Sequence, residues 1–172
     1  MSINRIPRVL IVEDEAMIIM MLEYIFTEAG FEIAGVATTL ENALSLIDTC
    51  DCDVAHLDAN LAGVSSAPAA LKLTARGIPF LIVSGYSAAQ QAVEYSGGLH
   101  VSKPFIPERL IDALWSLLPV EWRLSENKHA VWNDCNVVAS EQSAFIAYCR
   151  KAAVPLACES TAANEGLNLL PL

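Results

Sequence analysis

Glu13, Asp14 and Asp58 bring carboxylates, Ser84 a hydroxyl and Lys103 an ammonium, at wide intervals along the chain. Two carboxylates about 4 Å apart repel by roughly 4 kcal/mol at an effective dielectric near 20. Three gathered at one place need a counter-charge, and a hard, oxygen-seeking divalent cation such as Mg²⁺ supplies it. Lys103 adds a positive point charge, and the Ser84 hydroxyl can donate to a ligand oxygen. A carboxylate nucleophile among such groups is suited to accepting a phosphoryl group, because metal and lysine neutralise the phosphoryl oxygens during in-line transfer. Acids that merely cap helices or coat a surface would explain Glu13 and Asp14 alone about as well. They do not explain the whole set.

The elements around these residues place them together. Arg8 to Val12 (RVLIV) reads as a short buried strand, residues 15–29 as a helix ending at Gly30, and Glu32 to Val36 as a second strand. Residues 39–48 form an amphipathic helix, Asp53 to Leu57 a third strand ending at Asp58, and a Gly/Ser-rich loop leads to a helix over Pro68–Arg76. Phe80 to Val83 is a fourth strand ending at Ser84; a short helix near 87–95 and a strand over Leu99–Ser102 follow. Pro107 suits the first turn of a last helix running to Leu118, where its missing N–H is not needed. Alternating strands and helices imply a parallel sheet covered on both faces. Ligands of such sheets bind beyond the carboxyl ends of the strands, where Glu13, Asp14, Asp58, Ser84 and Lys103 all fall.

Composition narrows the function. The chain has 172 residues, with 10 Lys plus Arg against 20 Asp plus Glu, a net charge of −10. A nucleic-acid or anionic-membrane surface needs clustered positive charge, so neither is an expected partner. Apolar residues reach 54 % and charged ones only 17 %, enough to build a sizeable core. The longest apolar run, Ala16 to Leu22, is far short of the roughly 20 residues of a membrane span. Val9 to Val12 before Glu13–Glu15 does not read as a secretory signal. Cys50, Cys52, Cys135, Cys149 and Cys158 show no metal spacing, and Cys50-Asp51-Cys52 lacks a second pair; a disulfide-free cytoplasmic protein is expected. Residues 1–120 hold 14 acids and 6 bases, so −8 of the −10 lies there.

The pieces LIVEDE (10–15), HLDANLAG (56–63), LIVSGYS (81–87) and VSKPF (101–105), in this order and on these strand ends, resemble the receiver domain of two-component response regulators. The likeness runs from about Arg8 to Leu118. PFLIVSGYS and the shortened segment before VSKPF look most like the FATGUY-type single-domain receivers of alphaproteobacteria. The resemblance implies a flavodoxin-like, doubly wound α/β fold with a five-stranded parallel sheet in the order 2-1-3-4-5. It makes Asp58 the phosphoacceptor, Asp14 a direct Mg²⁺ ligand, Glu13 a ligand mainly through water, and the backbone carbonyl of Asn60 a further ligand. Ser84 and Lys103 match the residues that receive the phosphoryl group, and the Lys103–Pro104 peptide is expected cis. Asn60 and Tyr86 would flank the water that hydrolyses the acyl phosphate. The implied donor is a phosphohistidine on a sensor histidine kinase or a histidine phosphotransfer protein; a downstream protein or a second copy is a further implied partner. Such a protein phosphorylates and dephosphorylates only itself, so it is not an enzyme in the usual sense.

The sequence departs from the family at His100, where an aromatic switch residue usually stands three positions before the lysine. A half-exposed strand histidine is the expectation, with an imidazole switch as the alternative. On the first helix, Ile18, Leu22, Ile25 and Phe26 share one side, while Met17, Met20, Met21 and Tyr24 centre on the other, a candidate docking face for a kinase. Gly97 and Gly98 weaken the end of the short fourth helix. Trp115 lies off the Leu110–Leu114–Leu117 line, either as an exposed anchor or packed under the tail. The domain reading is a receiver over 1–120 and a C-terminal extension over 121–172, with a helix capped by Ser140 over 140–153 and a weakly structured remainder. Two competing classes remain: an interaction module that is never phosphorylated, and a Mg²⁺-dependent phosphohydrolase. The hydrolase is disfavoured by Asn60, where a second aspartate is wanted.

Overall fold

The computed structural model describes residues 5–85 and 95–125. Tyr86, nearly all of the helix expected near 87–95, and the helix expected over 140–153 lie outside the described residues. The strands are β1 (Arg8–Val12), β2 (Glu32–Ala37), β3 (Val54–Asp58), β4 (Asn60–Leu61), β5 (Val64–Ser65), β6 (Phe80–Ser84) and β7 (Leu99–Ser102). The helices are α1 (Ala16–Glu28), α2 (Leu40–Thr49), α3 (Ala67–Ala75), α4 (Pro107–Leu117) and α5 (Val120–Ser125). The main sheet is parallel and ordered β2-β1-β3-β6-β7, which is the expected 2-1-3-4-5 once the small β4–β5 ladder is set aside.

Alternation along the strands builds two cores. Val9, Ile11, Val54, Leu81 and Val83 face Leu22, Ile25 and Phe26 of α1 and Leu110 and Leu114 of α4. Leu10, Val12, Ala55, Leu57, Phe80 and Ile82 face Ala43 and Ile47 of α2 and Ala69, Ala70 and Leu73 of α3. All five residues of β3 are buried, which gives the central strand the continuous apolar character of a sheet covered on both faces. Helix entries follow local chemistry: Thr39 Oγ1 accepts the Asn42 N–H at 3.2 Å, and Pro107 opens α4. Gly98 lies so close to the Phe80 ring that a Cβ there would stand 2.4 Å from its Cε2. The Gly97–Gly98 pair therefore seats the entry to β7 on the core.

Two expectations change, and one open alternative closes. Trp115 is the packed residue and not the exposed anchor: it is buried, with its ring 4.7 Å from that of Phe31, because the buried face of α4 spans Leu110, Ile111, Ala113, Leu114 and Trp115. Met21 and Tyr24 pack against the core beside α1, and only Met17 and Met20 of the four stay exposed, at 54 % and 43 %. The helix α5 was not foreseen, and the boundary drawn at 120/121 falls within it. Its Trp122 is buried in the same core, under the Arg5 guanidinium at 5.2 Å. Arg5 in turn makes a two-pronged contact with Asp53, which also accepts the Arg8 N–H at 2.8 Å.

Candidate functional site

The carboxyl ends of β1, β3, β6 and β7 meet at one edge of the sheet. Glu13 follows β1 directly, and its N–H donates to the Ala37 carbonyl at 3.0 Å, extending the β1–β2 ladder by one rung. Its carboxylate is fully buried; Oε1 accepts the Glu15 N–H at 3.2 Å. Oε2 has no hydrogen-bond partner among the described residues and stands 3.9 Å from Lys103 Nζ. Burial first, then the charge of Asp58, push the Glu13 carboxyl from 4.5 up to about 7, against the pull of Lys103.

Asp58 closes β3 and is 5 % exposed. Its Oδ1 accepts the Asn60 N–H at 3.1 Å and its Oδ2 accepts from Lys103 Nζ at 2.8 Å. Burial acts to lower the Lys103 ammonium, but the hydrogen bond and charge of Asp58, with Glu13 and Glu15, outweigh it and hold it above its ordinary value. Carboxylate oxygens of Glu13, Asp14 and Asp58 lie within 4.8 Å of one another. This donor set is all hard oxygen, carries excess negative charge and leaves a buried oxygen of Glu13 without a hydrogen bond among the described residues. It fits a divalent cation such as Mg²⁺.

The loop after Asp58 is more ordered than a Gly/Ser-rich stretch suggests. Strands β4 and β5 form a hairpin across Ala62 (φ 49°) and Gly63 (φ 90°), the paired positive φ angles of a type I′ turn. Asn60 Oδ1 accepts the Gly63 N–H at 2.8 Å, and Ser66 N–H donates to the Ala59 carbonyl at 3.2 Å. In an antiparallel ladder, bonded and non-bonded pairs alternate. With Leu61–Val64 closing the turn and Ala59–Ser66 bonded, the Asn60–Ser65 pair is the non-bonded one. The Asn60 N–H and C=O therefore point out of the ladder together, on the side where that N–H meets Asp58. This leaves the Asn60 carbonyl free of the ladder, as a fourth oxygen donor requires.

Ser84 and Lys103 are joined through the backbone, Lys103 N–H donating to the Ser84 carbonyl at 2.8 Å. The Lys103–Pro104 peptide is cis. His100 is the half-exposed strand residue expected, and its Nε2 also lies 3.0 Å from Ser84 Oγ, within hydrogen-bond reach of the site serine. Burial lowers the proton affinity of its ring.

Two site neighbours had no signal in the sequence. Tyr95 reaches the Ala59 carbonyl from the turn before β7, at 3.1 Å. His56, two residues before Asp58, is fully buried against Phe26 at 5.9 Å, with no hydrogen-bond partner for either ring nitrogen among the described residues. Cys50 and Cys52 are free thiols, and the metal-ligand cluster found among the described residues does not include them. No helix among the described residues is long and apolar enough to cross a membrane.

Residues 9–115 match the response regulator receiver domain family. The chain is 30 % identical over 112 residues to the chemotaxis protein CheY of Thermotoga maritima, covering 62 % of this chain and 93 % of that one. The solution structure of SdrG from Sphingomonas melonis Fr1 is 34 % identical with a TM-score of 0.56, over 65 % of this chain and 96 % of that one. The solution structure of the BeF3-activated conformation of SdrG from Pseudomonas melonis Fr1 is 33 % identical with a TM-score of 0.57, over 68 % and 100 %.

Proposed function

The chain belongs to the response regulator receiver domain family of two-component signalling, and from that premise we propose that Asp58 takes a phosphoryl group from a phosphohistidine. Receiver domains bind Mg²⁺ through an acidic pocket and meet histidine kinases or phosphotransfer proteins. Here Glu13, Asp14, Asp58 and the Asn60 carbonyl would hold the ion, which when bound neutralises charge on the phosphoryl oxygens. An Asp58 carboxylate oxygen attacks phosphorus, the P–N bond of the phosphohistidine breaks, and the imidazole leaves as the acyl phosphate forms. Lys103 then shifts its ammonium from the carboxylate to a phosphoryl oxygen, and the Ser84 hydroxyl turns from His100 to donate to another. Hydrolysis returns the carboxylate, so the protein acts on itself and turns over no outside substrate.

The observation that carries this reading is the Lys103–Asp58 contact of 2.8 Å beside the converging carboxylates of Glu13 and Asp14. In this reading the protein signals by protein contact in the cytoplasm, with the exposed Met17 and Met20 of α1 meeting the phosphohistidine donor. Incubation with Mg²⁺ and acetyl phosphate, followed by mass spectrometry of the Asp58 peptide, tests it. One phosphoryl group on the wild type and none on Asp58→Asn is the expected result. No labelling of the wild type would indicate an unphosphorylated interaction module, and multiple turnover of phosphate esters a phosphohydrolase.

A further inference from the structure

The loop after Asp58 is gripped at both of its ends by one phenol. Tyr95 Oη lies 3.1 Å from the Ala59 carbonyl oxygen, 3.1 Å from Ser65 Oγ and 3.3 Å from Ser66 Oγ. A phenol has one proton to donate and two lone pairs to offer. The carbonyl can only accept, so the proton goes to Ala59 and the two serine hydroxyls donate to Tyr95. Ser66 is fully buried, and Tyr95 is 7 % exposed. Ser65 Oγ accepts in turn from the Ala67 N–H at 3.3 Å, which joins the phenol to the start of α3.

Ring and hydroxyl have separable roles. The ring belongs to the core that holds Leu57, Leu61, Ala69, Phe80 and Ile82. The hydroxyl contributes little to that packing but fixes where residues 59–66 sit relative to Asp58, and that loop carries the Asn60 carbonyl. Tyr95 also stands in the turn that leads into β7, the strand that presents His100 and precedes Lys103.

We propose that Tyr95 is a positioning residue for divalent-cation binding at the Asp58 site, its hydroxyl clamping both ends of the 59–66 loop so that the Asn60 carbonyl is held ready as a ligand. The inference rests on the reading of Glu13, Asp14, Asp58 and Asn60 as the Mg²⁺ ligands. Tyr95→Phe removes only the hydroxyl. A cation that uses the clamped loop should then bind about three- to tenfold more weakly, the range that one net hydrogen bond spans.

The test is a Mg²⁺ titration of the full chain, followed by calorimetry and by the amide shifts of residues 59–66, for wild type, Tyr95→Phe, Ser66→Ala and Asp58→Asn. A variant in the other core, Leu114→Val, which leaves the clamp in place, serves with Leu73→Val as the control for lost stability. The expected result is a raised Kd for Tyr95→Phe, a smaller rise for Ser66→Ala and an unchanged Kd for both controls. An unchanged Kd in Tyr95→Phe, or an equal rise in either control, overturns the clamp while leaving the site reading intact. A wild type that binds no Mg²⁺, or binds it equally well as Asp58→Asn, overturns the site reading and the clamp with it.

Discussion

Glu13→Gln should make the metal-free protein more stable and its hold on Mg²⁺ weaker. Glu13 is fully buried, its Oε2 has no hydrogen-bond partner among the described residues, and burial together with the Asp58 charge raises its carboxyl from 4.5 to about 7. A carboxyl that holds its proton more tightly in the folded state stabilises the fold fully below pH 4.5, and that contribution is lost as pH rises through about 7. At pH 8 in EDTA the ionised side chain thus costs the wild type up to about 3 kcal/mol. Glutamine keeps the shape without the charge, so Glu13→Gln should gain about 1–3 kcal/mol at pH 8 and less than about 1 kcal/mol at pH 5. Millimolar Mg²⁺ should reverse the order, because a ligand stabilises the fold more the tighter it binds and the variant has lost one anionic donor. Urea unfolding followed by circular dichroism at both pH values, with EDTA and with Mg²⁺, reads all four quantities. A variant no more stable than wild type in EDTA at pH 8, or one equally advantaged at pH 5, would show that the buried Glu13 charge does not destabilise the metal-free fold.

His56 runs the opposite way: burial lowers its ring from 6.5 to about 4, so stability is full above pH 6.5 and is lost as pH falls towards 4. His56→Leu should flatten that acid arm and add about 1–2 kcal/mol at pH 7 by removing buried nitrogens without partners; an unchanged acid slope in urea melts would count against it. Ala62 sits at φ 49°, a conformation that asparagine tolerates better, so Ala62→Asn should stabilise by about 0.5–1 kcal/mol while Gly63→Ala costs about 1 kcal/mol, both checked by the urea midpoint. Met17→Glu with Met20→Glu should slow transfer from a phosphohistidine donor several-fold and leave the acetyl phosphate rate unchanged. An equal loss in both assays would place those methionines in the fold rather than at a docking face.

The strand ends were legible because short, largely apolar runs stop abruptly at Glu13, Asp58 and Ser84, and a parallel sheet sends all such ends to one edge. What escaped reading depends on contacts between distant segments. Ala62-Gly63 is not the Asn-Gly or Asp-Gly pair that announces a type I′ turn, so the hairpin passed for plain loop. Tyr95 gains its meaning only from Ala59, Ser65 and Ser66, some thirty residues earlier in the chain. Helical spacing marks Leu22, Ile25 and Phe26 of α1 as core, but it does not show how wide the buried stripe is. Met21 and Tyr24 fell inside it, and Trp115 did the same on α4. The six residues of α5 are too few to show a period, so Trp122 was assigned to the extension rather than to the core.

The Arg5–Trp122 stack has a practical consequence for anyone attaching a probe. Arg5 also grips Asp53, just ahead of β3, so the stack marks the amino-terminal edge of the sheet, and the described chain enters and leaves there. Asp58 sits at the other edge, about 17 Å away for a five-residue strand. A reporter on the exposed Glu121, beside Trp122, would ride at the pole opposite the acidic pocket. Paired dyes, one at that pole and one on the 59–66 hairpin, would gauge the height of the molecule along its strands without crowding the carboxylates.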